Sequence, residues 1–219
     1  MMLLAIETTA NPWGFAVAGP QGLVGEYLIG KAPTETLVDH LRAVLPLWGV
    51  RQEQIEAVAV VTGPGHYMGV RGGVTTAKTL AQVWRVPMVA LDAAAVLTLQ
   101  GPAGMLVSPV LDVRRLEVYA GLARRTATGS DWVRPPAVHA WTAWRELLAA
   151  ETEPVLVMGT LTPAMRSDVT SAMPMVRLQG DLPAARPAAA ALEGWRRWQA
   201  GEGVSYAEVQ PLYVREAVP

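Results

Sequence analysis

The residues best placed to do chemistry run Thr62-Gly63-Pro64-Gly65-His66-Tyr67-Met68-Gly69-Val70-Arg71-Gly72-Gly73, after an apolar run and at the start of a helical pattern. Glycines there permit positive φ and close backbone approach, and a helix N-terminus favours anions. Cradling a phosphate is one chemistry that fits. No Gly-Lys-Ser/Thr follows, so the segment is not a P-loop. The glycines fall as GxGxxxG, one residue longer than a dinucleotide fingerprint, although Asp92 ends the next apolar run about where a ribose-binding acid would stand. The other reading is mechanical: Gly65, Gly69, Gly72 and Gly73 form a tight turn and let the helix pack closely on a neighbour. A second candidate is Glu7-Thr8-Thr9, at the end of the first apolar run and before Asn11-Pro12. An acid with hydroxyls in a β-hairpin can hold metal and phosphate; the alternative is a surface turn.

Other chemistries lack their residues. His40, His66 and His139 share no helix face, so no two-histidine metal site is expected from local sequence. His40 reads as a partly buried helix residue. Ser108 has no base near it, and no GxSxG elbow occurs. The chain has no cysteine, which excludes disulfides, cysteine-ligated zinc, iron–sulfur clusters and cysteine nucleophiles. Lys plus Arg number 18 against 19 Asp plus Glu, a net charge of −1, so the chain is poorly suited to grip nucleic acid on its own. The pairs Arg114-Arg115, Arg124-Arg125 and Arg196-Arg197 are scattered. Trp195 and Trp198 read as the inward face of an amphipathic helix rather than a platform for bases.

The elements that must position these residues follow from periodicity. Residues 2–7, 13–18 and 23–29 read as three strands with tight turns between them, an antiparallel meander. A helix follows over 34–48, with Leu37, Leu41, Val44, Leu45 and Trp48 at helical spacing; Thr36 and Asp39 suggest a capping box, and Pro46 should kink or end it. Strand 55–61, helix 70–84, strand 86–91 and helix 93–100 complete a first lobe, 1–103. After Gly101-Pro102-Ala103-Gly104, strands 105–111 and 117–123, helix 141–150, strand 155–158 and a helix ending near Gly201 make a second, smaller lobe, 104–219. With 51% apolar residues the chain can bury a sizeable core. No apolar run is long enough to span a membrane. The opening MMLLAIETTA is too short, and broken by Glu7, for a signal peptide, so a cytoplasmic location is expected.

Taken together and in order, LLAIETT, GPGHYMGVRGGVTTAKTLA, VPMVALDA, VLDVRRLEVYAGL and the terminal PLYVRE are similar to the TsaB (YeaZ) family, over residue 3 to about 216. The resemblance implies a two-lobe α/β fold of the actin-like ATPase and sugar kinase (ribonuclease H-like) class, mixed β-sheets flanked by helices. It implies a non-catalytic dimerisation subunit that supports a catalytic paralogue, TsaD, beside an ATPase, TsaE. The complex transfers a threonylcarbamoyl group to N6 of the adenosine 3′ of the anticodon in tRNAs reading codons that begin with A. Contact with tRNA is expected only through that complex, and a homodimer is left open for the isolated chain. No cofactor, metal or catalytic residue is expected. Glu7, Thr8, Thr9 and Asp112 stand as weak remnants of two phosphate hairpins: Asp112 is followed by Val113-Arg114-Arg115 with no glycine, and the adenine-loop position has only Gly159. His40 lacks the second histidine of the paralogue's metal pair, with Thr36 and Val44 at the flanking positions. His66-Tyr67-Met68 stands where the family usually has Ser-Phe-Thr.

A partner face is expected on the two first-lobe helices, as a four-helix contact, at Leu37, Leu41, Val44, Leu45, Val70, Gly73, Val74 and Ala77. The first helix is apolar beyond one stripe, and Gly69, Gly73, Thr76 and Ala77 make a ridge of small residues on the second. The alternative is that both helices merely cover the sheet. Two other functions compete: a free-standing ATP-dependent kinase or ATPase of the same fold, and a nicotinamide-binding oxidoreductase using Gly63–Gly69 and Asp92.

Overall fold

The computed structural model describes residues 1–30, 32–172, 175–178 and 186–214. The chain divides into two compact units, Met1–Val96 with Ala185–Leu212, and Leu97–Ala184 with Tyr213–Pro219. The expected boundary at 103/104 therefore moves to 96/97, and the last helix and much of the tail return to the first unit.

In the first unit, β1 (Met2–Glu7), β2 (Trp13–Gly19) and β3 (Gly22–Ile29) form the expected meander, and β4 (Ile55–Gly63) and β5 (Met88–Asp92) run parallel to β1 on its other side. The sheet order is β3-β2-β1-β4-β5. β1 and β4 are buried on both faces, which is why they read as continuous apolar runs rather than alternating ones. On one face lie α1 (Leu37–Val44) and α2 (Tyr67–Trp84), closing a core of Leu4, Ile6, Phe15, Val58, Val60 and their neighbours. α1 is shorter than the sequence suggests. It ends before Pro46 in a 3-10 turn, Leu45–Trp48, capped by left-handed Gly49. The expected capping box is also absent: Thr36 Oγ1 donates to the Pro33 carbonyl instead of capping α1.

The opposite face is covered by α6 (Pro187–Gln199). Its inward residues are small: Ala190, Ala191 and Gly194 are buried, and a Cβ on Gly194 would come within 2.6 Å of Ala59 Cβ and 3.2 Å of Leu3. Small residues let the helix axis approach the sheet closely. Trp195 and Trp198, expected to face inward, are only half-buried and pack edge to face on each other at 5.2 Å. The start of α6 is fixed from β3, where Glu26 accepts the Ala188 N–H at 2.9 Å and pairs with Arg186. Buried Glu193 is held by Arg196 and Arg197; burial pushes its carboxyl up, but the two arginine hydrogen bonds more than reverse this and hold it below its ordinary value.

The tail then seals the unit. Val204 bridges Met88 on the outer edge of β5, Lys78 donates to the Val209 carbonyl, Val209 is buried, and the Leu212 N–H donates to the Thr62 carbonyl at 2.8 Å.

The second unit repeats the topology. β6 (Leu106–Asp112), β7 (Glu117–Arg125) and β8 (Ser130–Ala140) form a meander, and β9 (Val155–Thr160) and β10 (Val176–Leu178) extend the sheet in parallel, giving β10-β9-β6-β7-β8. α4 (Trp141–Ala149) and α5 (Pro163–Ala172) cover a core containing Trp141, Trp144, Leu148, Met165 and Val169. α3 (Ala93–Thr98) lies where the division between the units falls. The result is the mixed α/β architecture expected from the sequence, with one five-stranded mixed sheet in each unit. No helix among the described residues is long and apolar enough to cross a membrane.

Substituting Gly194→Val inserts side-chain atoms against Ala59 and Leu3, and is expected to destabilise the chain by about 1–3 kcal/mol in a urea titration. An unchanged midpoint would mean that α6 does not depend on this close approach.

Candidate functional site

Glu7 closes β1 and is fully buried, and Thr8 and Thr9 are nearly so. Glu7 Oε1 accepts both the Thr9 N–H and the Thr9 hydroxyl at 2.6 Å, while Oε2 has no hydrogen-bond partner among the described residues. Burial pushes the Glu7 carboxyl from 4.5 up to about 8, although the Thr9 hydroxyl and backbone hydrogen bonds pull it down. At neutral pH the group is therefore largely a neutral acid.

The glycine segment lies directly on this hairpin. The His66 N–H donates to the Thr9 carbonyl at 2.7 Å, and Thr8 Oγ1 donates to the Gly69 carbonyl at 2.8 Å. A Cβ on Gly65 would overlap the Thr9 backbone, one on Gly69 the Thr8 carbonyl, and one on Gly73 the Thr8 hydroxyl. The mechanical reading of these glycines accounts for the geometry: they admit backbone and hydroxyl groups where any side chain would collide. Gly72 has a different neighbour, Thr34. Asp92 caps α3, its Oδ1 accepting the Ala94 and Ala95 N–H groups at 2.7 and 3.1 Å.

In the second unit Asp112 stands at the end of β6, as Glu7 does at the end of β1. Its Oδ1 accepts the Arg114 N–H and its own N–H donates to Thr160 Oγ1. Arg114, Arg115 and Leu116 follow in left-handed conformation. Gly159, with φ 124°, faces the Val110 carbonyl so closely that a Cβ would overlap it. Ser108 is buried and accepts the Trp144 indole N–H at 3.1 Å; His139 stacks on that indole at 4.7 Å. Burial lowers the His139 pKa, against the Ala120 backbone hydrogen bond that raises it. His40 is half-buried between Trp13 and Tyr27. Among the described residues no three acidic or histidine side chains converge as a metal site.

The eight side chains expected at a partner face lie elsewhere. Leu37, Leu41, Val44, Leu45, Val70, Gly73, Val74 and Ala77 are all buried, and apart from Gly73, which meets Thr8, they belong to the core cluster beneath the sheet. Apolar spacing identified the helices, but a helix packed on a sheet turns that spacing inward. The outward face of α2 carries Tyr67, Met68, Arg71, Thr75, Thr79, Gln82 and Val83, with Arg71 its only charge. Met68 and Val83 are 66% and 68% exposed, and Leu47 after α1 is 81% exposed. A water-facing helix side normally carries several charges. Period alone marks this stripe in the sequence, since 68, 75, 79 and 82 follow one another at helical steps.

Two outcomes check this geometry. Glu7→Gln should remove a pH dependence: a carboxyl whose pKa rises on folding leaves stability intact below about 4.5 and erodes it as pH climbs through about 8. The wild type should lose up to about 1.4 kcal/mol per pH unit across that window relative to the variant, read by urea titration at several pH values. Parallel curves would mean that Glu7 is ionised in the fold. Gly69→Ala, favoured by helix propensity, should nonetheless cost about 1–3 kcal/mol because of Thr8; a gain in melting temperature would contradict the packing role.

Comparison with known proteins gives a consistent set of relatives. The family model described as "TsaD: tRNA N6-adenosine threonylcarbamoyltransferase" matches residues 27–159. The chain is 31% identical over 162 residues to the tRNA threonylcarbamoyladenosine biosynthesis protein TsaB of Bacillus subtilis (strain 168), covering 73% of this chain and 71% of that protein. A tRNA N6-adenosine threonylcarbamoyltransferase of Burkholderia multivorans is 31% identical over 109 residues, 42% of this chain and 32% of its own. Among solved structures, YeaZ from Pseudomonas aeruginosa superposes with a TM-score of 0.80 at 22% identity over 97% of this chain and 99% of that one, a likeness of fold.

Proposed function

The chain belongs to the TsaB family of tRNA threonylcarbamoyladenosine biosynthesis proteins, and on that footing we propose that it acts there as a scaffold without catalysis of its own. Its partner is a TsaD-type transferase, which adds the threonylcarbamoyl group to N6 of the adenosine 3′ of the anticodon. A TsaE-type ATPase joins them, and the work is done in the cytoplasm. The observation that carries the reading is the Glu7–Thr9 hairpin: the position where a nucleotide phosphate would need open amides is occupied by the chain's own glycine-faced helix. Arg114-Arg115-Leu116 in place of glycines after Asp112 supports it.

The contact surface for the transferase is the outward stripe of α2, Met68, Thr75, Thr79 and Val83, with Leu47 nearby in sequence order after α1. A helix side this poor in charge and rich in exposed apolar groups favours protein contact over water. The same stripe would serve a homodimer of the isolated chain.

Mixing the chain with its TsaD-type counterpart should yield a larger species by size-exclusion light scattering and restore modification of tRNA that neither achieves alone. Met68→Glu with Val83→Glu should abolish the complex while leaving the melting temperature within a few degrees, because both side chains already face water. Leu41→Glu or Val74→Glu should instead unfold the chain, both being buried. Survival of the complex in the Met68/Val83 variant would refute this face. Micromolar binding of ATP with magnesium by calorimetry would favour the kinase or ATPase reading instead.

A further inference from the structure

After β6 the backbone adopts a conformation that side chains disfavour. Arg114, Arg115 and Leu116 take φ of 72°, 56° and 61° in succession, one turn of left-handed helix built from residues with Cβ atoms. The turn is pinned on every side. The Arg114 N–H donates to Asp112 Oδ1 at 2.9 Å, the Glu117 N–H to the Arg114 carbonyl at 3.1 Å, the Val113 N–H to the Glu117 carbonyl at 3.1 Å, and the Trp141 N–H to the Leu116 carbonyl at 2.8 Å. Two amides are left over: the N–H groups of Arg115 and Leu116 make no hydrogen bond among the described residues. Neither guanidinium has an acidic partner among them. All three side chains are exposed, Leu116 at 71%.

Consecutive amides in a left-handed turn face one side and form a concavity that accepts an anion. Two adjacent guanidinium forks match the oxygens of a phosphate better than any other donor pair. Two acids flank the turn: Asp112, whose Oδ1 is engaged by the Arg114 N–H, and Glu117, which bonds to it through its backbone. A chain of net charge −1 cannot attract a polyanion by its bulk field, so any such contact has to be local and pre-shaped.

We propose that the Arg114–Leu116 turn is an anion-binding element that contacts a phosphate of the RNA backbone, positioning the tRNA rather than reading its bases. The inference rests on the tRNA-modification role proposed above. Glycine, which accepts positive φ freely, would satisfy the fold here better than arginine; the arginines occupy a conformation that does not suit them.

The test is fluorescence anisotropy of a labelled anticodon stem-loop RNA carrying adenosine 3′ of the anticodon. It is titrated with the chain alone and with its TsaD-type assembly, from about 50 to about 200 mM salt. Arg114→Gly with Arg115→Gly should melt no lower than wild type, weaken RNA binding by about tenfold and reduce the slope of log affinity against log salt by about one. Arg114→Gln with Arg115→Gln, which keeps side chains on the strained turn, should show the same binding defect. Unchanged affinity and slope in both variants overturn the proposal. So does loss of the transferase complex with RNA affinity intact, which would make the turn a protein contact, and so does absence of RNA binding by the wild type in either state. If the wild type binds RNA but never joins the transferase, the scaffold role fails and the turn is judged on the chain alone.

Discussion

Gly65 just before α2, with Gly69 and Gly73 in it, lets the helix rest against the Thr9 backbone, the Thr8 carbonyl and the Thr8 hydroxyl, and the rest of the first unit is arranged around that approach. Because the helix sits so low over the end of β1, its next turns reach the sheet with Val70, Val74, Ala77 and Ala81, and α1 fills the space beside them with Leu37, Leu41 and Val44. The same approach encloses Glu7 and deprives one of its oxygens of a partner. An enzyme that handles triphosphates requires the opposite at such a place, namely amides open to a ligand and an acid kept ionised. Here packing engages these groups: the His66 N–H donates to the Thr9 carbonyl, and the Thr9 N–H to Glu7.

The two units are the same topology put to different uses. Each places an acid at the end of its first strand, and each follows it with a segment of a different kind. In the first, a helix covers the hairpin. In the second, the loop is open but carries two arginines and a leucine where small residues would be required.

Much of this was legible in the residues. The meander β1–β3, the buried β4 and the helix opened by the glycine segment follow from apolar runs punctuated by Asn11-Pro12, Gly19-Pro20 and Gly63-Pro64. β8 escapes because Pro135-Pro136 and an alternation broken by bulges hide an edge strand, and α5 because its apolar stripe is weak. Leu41 and Val74 announce an apolar helix side, but spacing cannot say whether a sheet or another molecule covers it, and here both side chains pack into the core. The opposite side of α2 carries no charge at 68, 75, 79 and 83, a pattern the sequence also shows. The left-handed turn at Arg114 could not be foreseen, since nothing in Arg-Arg-Leu favours positive φ; the surrounding hydrogen bonds impose it.

The strap formed by residues 204–212 sets the order in which the molecule can come into being. The edge of β5 and the packing around Val209 are completed only by residues 204–209, which follow residues 97–184 of the second unit in the chain. Most of the second unit, residues 97–184, is thus made while the first still waits for α6 and the strap, and contacts made across so many residues form slowly. A nascent chain cut short before residue 187 would leave the face of the first sheet that α6 covers exposed, a form that chaperones and proteases would meet first.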